Sequence, residues 1–226
     1  MKAGINYQRI KNNKLDFLEE NLSKYVDEHC TPEQQELYEL YRETHLKVLS
    51  PNMLSGNIQG QYLKMLCHLM KPKNVLEIGT FTGYSAICLA QGLPEGGKLT
   101  TIDINPELGY LVNKYLEKTG TTNKVDCLIG NALDIIPTLE TEFDLVFLDA
   151  DKRNYLKYYH LVFDKIKPNG LILADNVLWY GKVVTDADDI DTRSLKEFNK
   201  FVQEDERVEN VLLPLRDGLM MVRKLV

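Results

Sequence analysis

The sequence predicts an α/β domain: a mostly parallel sheet with helices on both faces and an antiparallel last strand. Two observations carry that reading. From Asn74 onward, the short apolar runs NVLEIG, KLTTIDI, KVDCLIG, FDLVFLDA and GLILADN alternate with helical stretches such as YSAICLAQGL, ELGYLVNKYLEK and YLKYYHLVFDKI. The tail then changes pattern, because VENVLLPL and GLMMVRKL flank a short turn at Arg216–Asp217 and read as a hairpin.

The region before Asn74 is helical in pattern. LDFLEENLSKYV places Leu15, Leu18, Leu22 and Tyr25 at helical spacing. TPEQ offers Thr31 as N-cap, Pro32 at the first helical position and Gln34 to close a capping box. The break at LSPNMLSG separates this part from another helix over Gly56 to Met70. There is no internal repeat and no low-complexity tract.

A chain of 226 residues, 44% hydrophobic, suits one large domain with a substantial core. The formal net charge of −6 argues against a protein built to grip nucleic acid by its phosphates, without excluding a local basic patch. Cys30, Cys67, Cys88 and Cys127 form no CxxC pair, so they read as reduced, mostly buried thiols rather than a zinc site or disulfide framework. The N-terminal MKAGINYQRIKNNK is basic but has no apolar leader segment, and no run approaches membrane-spanning length. A cytoplasmic enzyme is the simplest expectation.

The first apolar run ends in VLEIGTFTGYS, where Gly79 and Gly83 permit a tight turn and close approach of backbone to a ligand, with a helix starting near Ser85. The GxGxxG spacing of dinucleotide sites is absent. Glu77 beside the loop repels a pyrophosphate and attracts a ligand bearing an ammonium or sulfonium group. Asp103 ends the second strand 20 residues past Gly83, where an acid can take both ribose hydroxyls. Together these point to a cationic nucleoside without phosphates, S-adenosylmethionine; the alternative is a pair of solvated strand-end charges. Ala132, in GNALD after the third strand, falls where a small residue lines an adenine pocket.

The fourth and fifth strands end in LDADKRNY and LILADN. Ligands of a parallel sheet sit outside the carboxyl ends of its strands. Neighbouring strands run about 4.8 Å apart, so Asp149, Asp175 and Asn176 can converge on one point. Two carboxylates and an amide make a hard-cation site for Mg²⁺, Mn²⁺ or Ca²⁺, and the lack of histidine or cysteine disfavours zinc. Lys152 lies near the start of the next helix, and a partly buried ammonium beside a cation gives up its proton more readily, which suits a general base. Asp151 is expected to cap that helix.

With these residues in order, the chain resembles the cation-dependent class I O-methyltransferases, the group containing catechol and caffeoyl-coenzyme A O-methyltransferases. The resemblance runs from about Met53 to the C-terminus on EIGTFTGYS, IDIN, LDADKRNY, ADNVLWYGKV and RDGLMM. It implies a Rossmann-like, seven-stranded sheet with a reversed last strand, residues 1–52 as a helical cap and 53–226 as a single compact methyltransferase domain. It implies Glu77, Gly79, Ser85, Asp103 and Ala132 as contacts of S-adenosylmethionine, with Thr80, Gly83 and Ile104 nearby and Asp149 bordering both ligands. It further implies Asp149, Asp175 and Asn176 as metal ligands, Lys152 as general base, and a homodimer.

Two positions depart from the family pattern: Tyr180 follows the tryptophan in LWYGK, and Arg216 replaces a glycine common before DG. Trp179 and Tyr180 are candidates for an aromatic wall around the acceptor, with core packing the equal alternative for Trp179. Arg193 reads as one exposed helix charge among several, with contact to an anionic part of a larger acceptor the alternative, and His29, His45, His68 and His160 show no ligand spacing. The function implied is metal-dependent methyl transfer to a hydroxyl of a catechol-like or hydroxycinnamoyl-like small molecule. A tRNA 5-hydroxyuridine methyltransferase of the same family is the alternative; a nicotinamide oxidoreductase and a non-catalytic binding module fit the loop and the intact strand-end set less well.

Overall fold

The computed structural model describes residues 20–225. Leu15 and Leu18 of the first helical pattern lie outside them. The chain runs α1 (Glu20–Glu28), α2 (Gln35–Lys47), α3 (Asn57–Met70), β1 (Asn74–Ile78), α4 (Tyr84–Gly92), β2 (Lys98–Asp103), α5 (Gly109–Lys118), β3 (Val125–Ile129), α6 (Ala132–Ile135), β4 (Phe143–Leu148), α7 (Tyr155–Phe163), β5 (Ile166–Asp175), α8 (Ile190–Glu204), β6 (Val208–Leu213) and β7 (Leu219–Lys224).

The seven strands form one sheet in the order β3-β2-β1-β4-β5-β7-β6. β7 alone runs against its neighbours, pairing antiparallel with both β5 and β6, as the tail hairpin predicts. From β1 the chain steps outward to β3 and then returns to β4, so the switch in direction falls between β1 and β4. That is where an open α/β sheet leaves a crevice beyond its strand ends.

Strand alternation sorts the core into two layers. Val75, Leu99, Phe147 and Leu173 face α2 to α5 on one side, while Leu76, Ile102, Val146, Leu148 and Ile172 face α7 and α8 on the other. Glu77, Asp103, Asp149 and Asp175 share parity with the first set. Continuing each strand by its own period therefore aims all four carboxylates at the α3–α4 side.

Three expectations are corrected. Thr31 caps nothing: α2 starts at Gln35, and its N-cap Gln34 makes no side-chain cap bond. The TPEQ segment is held extended by contacts to other elements instead, with Tyr84 Oη donating to Glu33 Oε1 (2.5 Å), Gln91 Nε2 to Gln34 Oε1 (2.7 Å) and Asn57 Nδ2 to the Thr31 carbonyl (3.1 Å). The helix over YLKYYHLVFDKI stops at Phe163, and Ile166 already opens β5 opposite Phe143, with a register shift before Leu145 meets Leu171. Of the four free thiols, Cys67 and Cys88 are buried and Cys30 is half-buried. Cys127 is exposed, because β3 is an edge strand.

The tightest point of the fold is where β1 meets β4. Gly79 has φ +103°, and a Cβ built there lies 2.1 Å from the Asp149 carbonyl oxygen. Gly79→Ala is expected to lower stability by about 3 kcal/mol or more, read from urea denaturation, since both the backbone conformation and the space exclude a methyl group.

Candidate active site

Backbone pairing at the strand ends sets the frame. The Ile78 carbonyl accepts the Asp149 N–H at 2.8 Å, and the Gly79 N–H reaches the Ile102 carbonyl at 2.9 Å. The chain then turns through Thr80 to Gly83, closed by the Gly83 N–H on the Thr80 carbonyl (2.9 Å), with Gly83 at φ +90° as the N-cap of α4. Thr80 points inward, its hydroxyl 2.6 Å from that of Thr101, which donates to Glu77 Oε2 at 2.5 Å. Asp103 accepts the Phe81 N–H (2.7 Å) and the Asn105 N–H (2.8 Å), one on each oxygen, and keeps a lone pair on each for a further donor. Ile104 follows it and is exposed. Ser85 is buried in the first turn of α4, and Ala132 is buried as the first residue of α6.

Glu77 is fully buried with no cation beside it. Burial pushes its pKa up to about 8; Asp149 and Asp103 add to the rise, while the Ser85 and Thr101 hydroxyls oppose it. Its Oε1 has no hydrogen-bond partner. A buried carboxyl oxygen left without a donor is costly, and a cationic or hydrogen-bond-donating ligand at the glycine loop relieves that cost. The residues therefore fit the ligand class expected from the sequence.

Leu148 pairs with Ala174, so Asp149 and Asp175 emerge side by side from adjacent strands. Asp175 is 2% exposed. Its Oδ1 accepts the Asn176 N–H and its Oδ2 accepts Gln59 Nε2, both at 2.8 Å. Burial, and then the charge of Asp149, push its pKa upward. Two carboxylates competing at one point are what a hard cation would reconcile. Among the described residues no group of three or more His, Cys, Asp or Glu side chains gathers for a metal, so any divalent ion here would have to be held by the two carboxylates with the Asn176 amide. Asn176 itself sits at φ +59°.

Lys152 is buried, with Nζ 3.1 Å from Asp149 Oδ1 and 2.6 Å from Tyr155 Oη. The Tyr155 hydroxyl lies 2.9 Å from the Asp175 carbonyl and 3.1 Å from that of Leu148. Tyr155 thus braces the lysine against both strand ends. Asp151 occupies the expected cap position, but it works through side chains, accepting Tyr158 Oη and Asn154 Nδ2, each at 2.5 Å.

The segment after β5 and the β6–β7 turn meet beyond the end of β5. Trp179, Tyr180 and Gly181 take consecutive positive φ values of 46°, 55° and 72°. Asp217 holds them there, its Oδ1 accepting the Tyr180 N–H at 2.7 Å and its carbonyl the Leu178 N–H at 2.9 Å. Trp179 packs against the core layer of α7 and α8, which favours the packing role for that ring. Arg193 is exposed on α8 as expected, and His160 stacks edge-on with Phe201 at 4.9 Å.

The sequence pattern of the O-methyltransferase family matches residues 27–225. The chain belongs to that family. It is 33% identical over 236 residues to caffeoyl-CoA O-methyltransferase 5 of Nicotiana tabacum, covering 98% of each chain, and 38% identical over 185 residues to caffeoyl-CoA O-methyltransferase 1 of Eucalyptus globulus, covering 76% of this chain and 75% of that one. Its fold matches the crystal structure of the O-methyltransferase TomG from Streptomyces achromogenes in complex with SAM, at TM-score 0.83 and 27% identity over 91% of this chain and 96% of that one.

In this O-methyltransferase the strand ends bring Glu77, Gly79, Asp103, Asp149, Asp175 and Lys152 to one side of the sheet. Sequence reasoning passed over Thr101, Tyr155, Gln59 and Asp217. Thr101 was visible only as a polar residue at an inward position of TTIDI, and Tyr155 as an aromatic three residues past Lys152. Asp217 was visible only as part of the turn in RDGLMM, and Gln59 gave no local signal, since its role exists only once distant segments meet.

The Glu77 carboxyl makes a pH prediction. Below about 4.5 it is protonated in both folded and unfolded chains; above that the unfolded chain ionises first, so stability of the ligand-free protein falls with rising pH until the folded carboxyl ionises near 8. Denaturation of wild type across this window is expected to show a decline on the order of a few kcal/mol that Glu77→Gln lacks.

Proposed function

We propose that this O-methyltransferase moves the methyl group of S-adenosylmethionine to a hydroxyl of a catechol-like or hydroxycinnamoyl-type acceptor, with a divalent cation, Mg²⁺ foremost, at Asp149, Asp175 and Asn176. The observation that carries the reading is Lys152 Nζ, buried and 3.1 Å from Asp149 Oδ1, at the point where Asp149 and Asp175 leave adjacent strands. The caffeoyl-CoA O-methyltransferases among its relatives support the acceptor class. The SAM-bound state of TomG supports the methyl donor.

The donor supplies an electrophilic methyl on a positively charged sulfur. Around it, the unpartnered Glu77 Oε1 takes a donor group, Asp103 offers its spare lone pairs to ribose hydroxyls, and Gly79, whose Cβ position the Asp149 carbonyl fills, keeps the glycine turn against Asp149. Thr80 and Gly83 shape the turn, Ser85 sits at the start of the helix, and Ile104 and Ala132 border the base. The cation, when bound, supplies Lewis acidity toward an acceptor hydroxyl. Lys152, acting as the neutral amine, takes the proton of that hydroxyl at Nζ and is left as the ammonium; Tyr155 keeps the nitrogen aimed, and Asp149 Oδ1 is its hydrogen-bond partner. Holding the nucleophile in line with the methyl group contributes much of the rate.

The described part of the segment before Met53 acts in this reading as a cap on the acceptor side, tied down through Glu33 to Tyr84. Among the described residues no helix is long and apolar enough to cross a membrane. A cytoplasmic setting that keeps the four free thiols reduced, and pairing of two copies, complete the proposal.

A catechol series and a caffeoyl thioester, assayed with S-adenosylmethionine with and without Mg²⁺, test it. Methyl transfer is expected only with the cation, and full activity in excess chelator would remove the metal from the account. Lys152→Met is expected to lower kcat by about 10²–10⁴-fold while donor binding persists. Asp149→Ala is expected to abolish cation-dependent transfer and leave donor binding partly intact.

A further inference from the structure

We infer that Gln59 is a positioning residue for the Asp175 carboxylate, with its amide oriented by Arg216, and that this pair sets how tightly the strand-end oxygens hold a divalent cation. The inference rests on the cation site proposed above. Gln59 lies on α3 and is 1% exposed, and its Nε2 donates to Asp175 Oδ2 at 2.8 Å. Its other end, Oε1, accepts from Arg216 Nη1. Arg216 also donates through Nη2 to the Leu54 carbonyl at 3.1 Å, which fixes the guanidinium itself.

The chemistry of the three groups allows one orientation. A guanidinium only donates, so the acceptor end of the amide must face Arg216. The NH₂ end is then obliged to face Asp175. On the other side of the carboxylate the Asn176 N–H holds Oδ1 at 2.8 Å. Both oxygens of Asp175 are thus oriented before any ligand arrives, and each retains a lone pair. Arg216 occupies φ +49°, a conformation glycine adopts without cost, so the backbone gives no reason for arginine there. Its side-chain contacts do. Partners that orient a metal-ligating carboxylate commonly govern affinity by about 10–100-fold.

The test follows Mn²⁺ binding by the electron paramagnetic resonance signal of the free ion, without methyl donor or acceptor, beside calorimetric binding of S-adenosylmethionine. Wild type is expected to bind Mn²⁺ and Asp149→Ala to lose it. Gln59→Leu, and Gln59→Met should the leucine variant fail to fold, are expected to weaken Mn²⁺ binding by about 10–100-fold with affinity for S-adenosylmethionine unchanged. Arg216→Lys, which keeps a cationic donor for Oε1, is expected to stay close to wild type. Gln59 variants that bind Mn²⁺ like wild type while Asp149→Ala does not would overturn the inference and leave the cation site standing. So would a parallel loss of S-adenosylmethionine binding, which marks general loosening, or an Arg216→Lys defect as large as that of Gln59→Leu. Mn²⁺ binding undiminished in Asp149→Ala would instead overturn the cation site itself.

Discussion

The contact between the Gly79 backbone and the Asp149 carbonyl is the constraint on which the rest of the site depends. It exists because β1 and β4 are neighbours at the switch point of the sheet, with Ile78 paired to Leu148. One side of that contact is the glycine turn proposed to take the nucleoside; the other is the first of the strand-end carboxylates. A methyl group at Gly79 would force the two apart. In the proposed function, proximity between methyl donor and acceptor would then be a property of the backbone before any side chain contributes, and catalysis by approximation needs that rigidity.

Strand parity does the second part of the work. Glu77, Asp103, Asp149 and Asp175 follow Val75, Leu99, Phe147 and Leu173 in phase, so negative charge concentrates over the α3–α4 layer. Burial first, and then the neighbouring carboxylates, push the pKa values of Glu77 and Asp175 upward, so the cluster is unfavourable in its charged form. The same cluster favours cations, and the proposed function calls for one at the sulfur of the donor and one at the acceptor oxygens. Lys152 and Arg216 supply built-in positive charge at the edge of the acidic set, the first through Asp149 and the second through Gln59.

Much of this was legible in the sequence because it is local. Apolar runs gave the strands, the hairpin gave the reversed β7, and the polar residues at the run ends fell where a parallel sheet places its ligands. What was not legible depends on segments that meet only after folding. The TPEQ stretch has every residue of a helix cap, yet bonds from Tyr84 and Gln91 hold it extended, so tertiary contacts override local preference. Ile166 reads as the last apolar position of a helix and becomes the first of a strand, because pairing with Phe143 satisfies its backbone. Gln59 and Arg216 stand 157 positions apart; Arg216 stood out only as a departure before DG, and nothing in the sequence pairs it with Gln59.

The central claim is that the tips of β4 and β5 present one set of oxygen ligands beside the glycine turn. The most direct measurement is anomalous diffraction from crystals grown with Mn²⁺ and S-adenosylmethionine. The account predicts a single strong manganese peak about 2.1 Å from side-chain oxygens of Asp149, Asp175 and Asn176, with the nucleoside lying over Gly79. Manganese bound elsewhere in the protein, with Asp149 and Asp175 left without a shared ion, would contradict it.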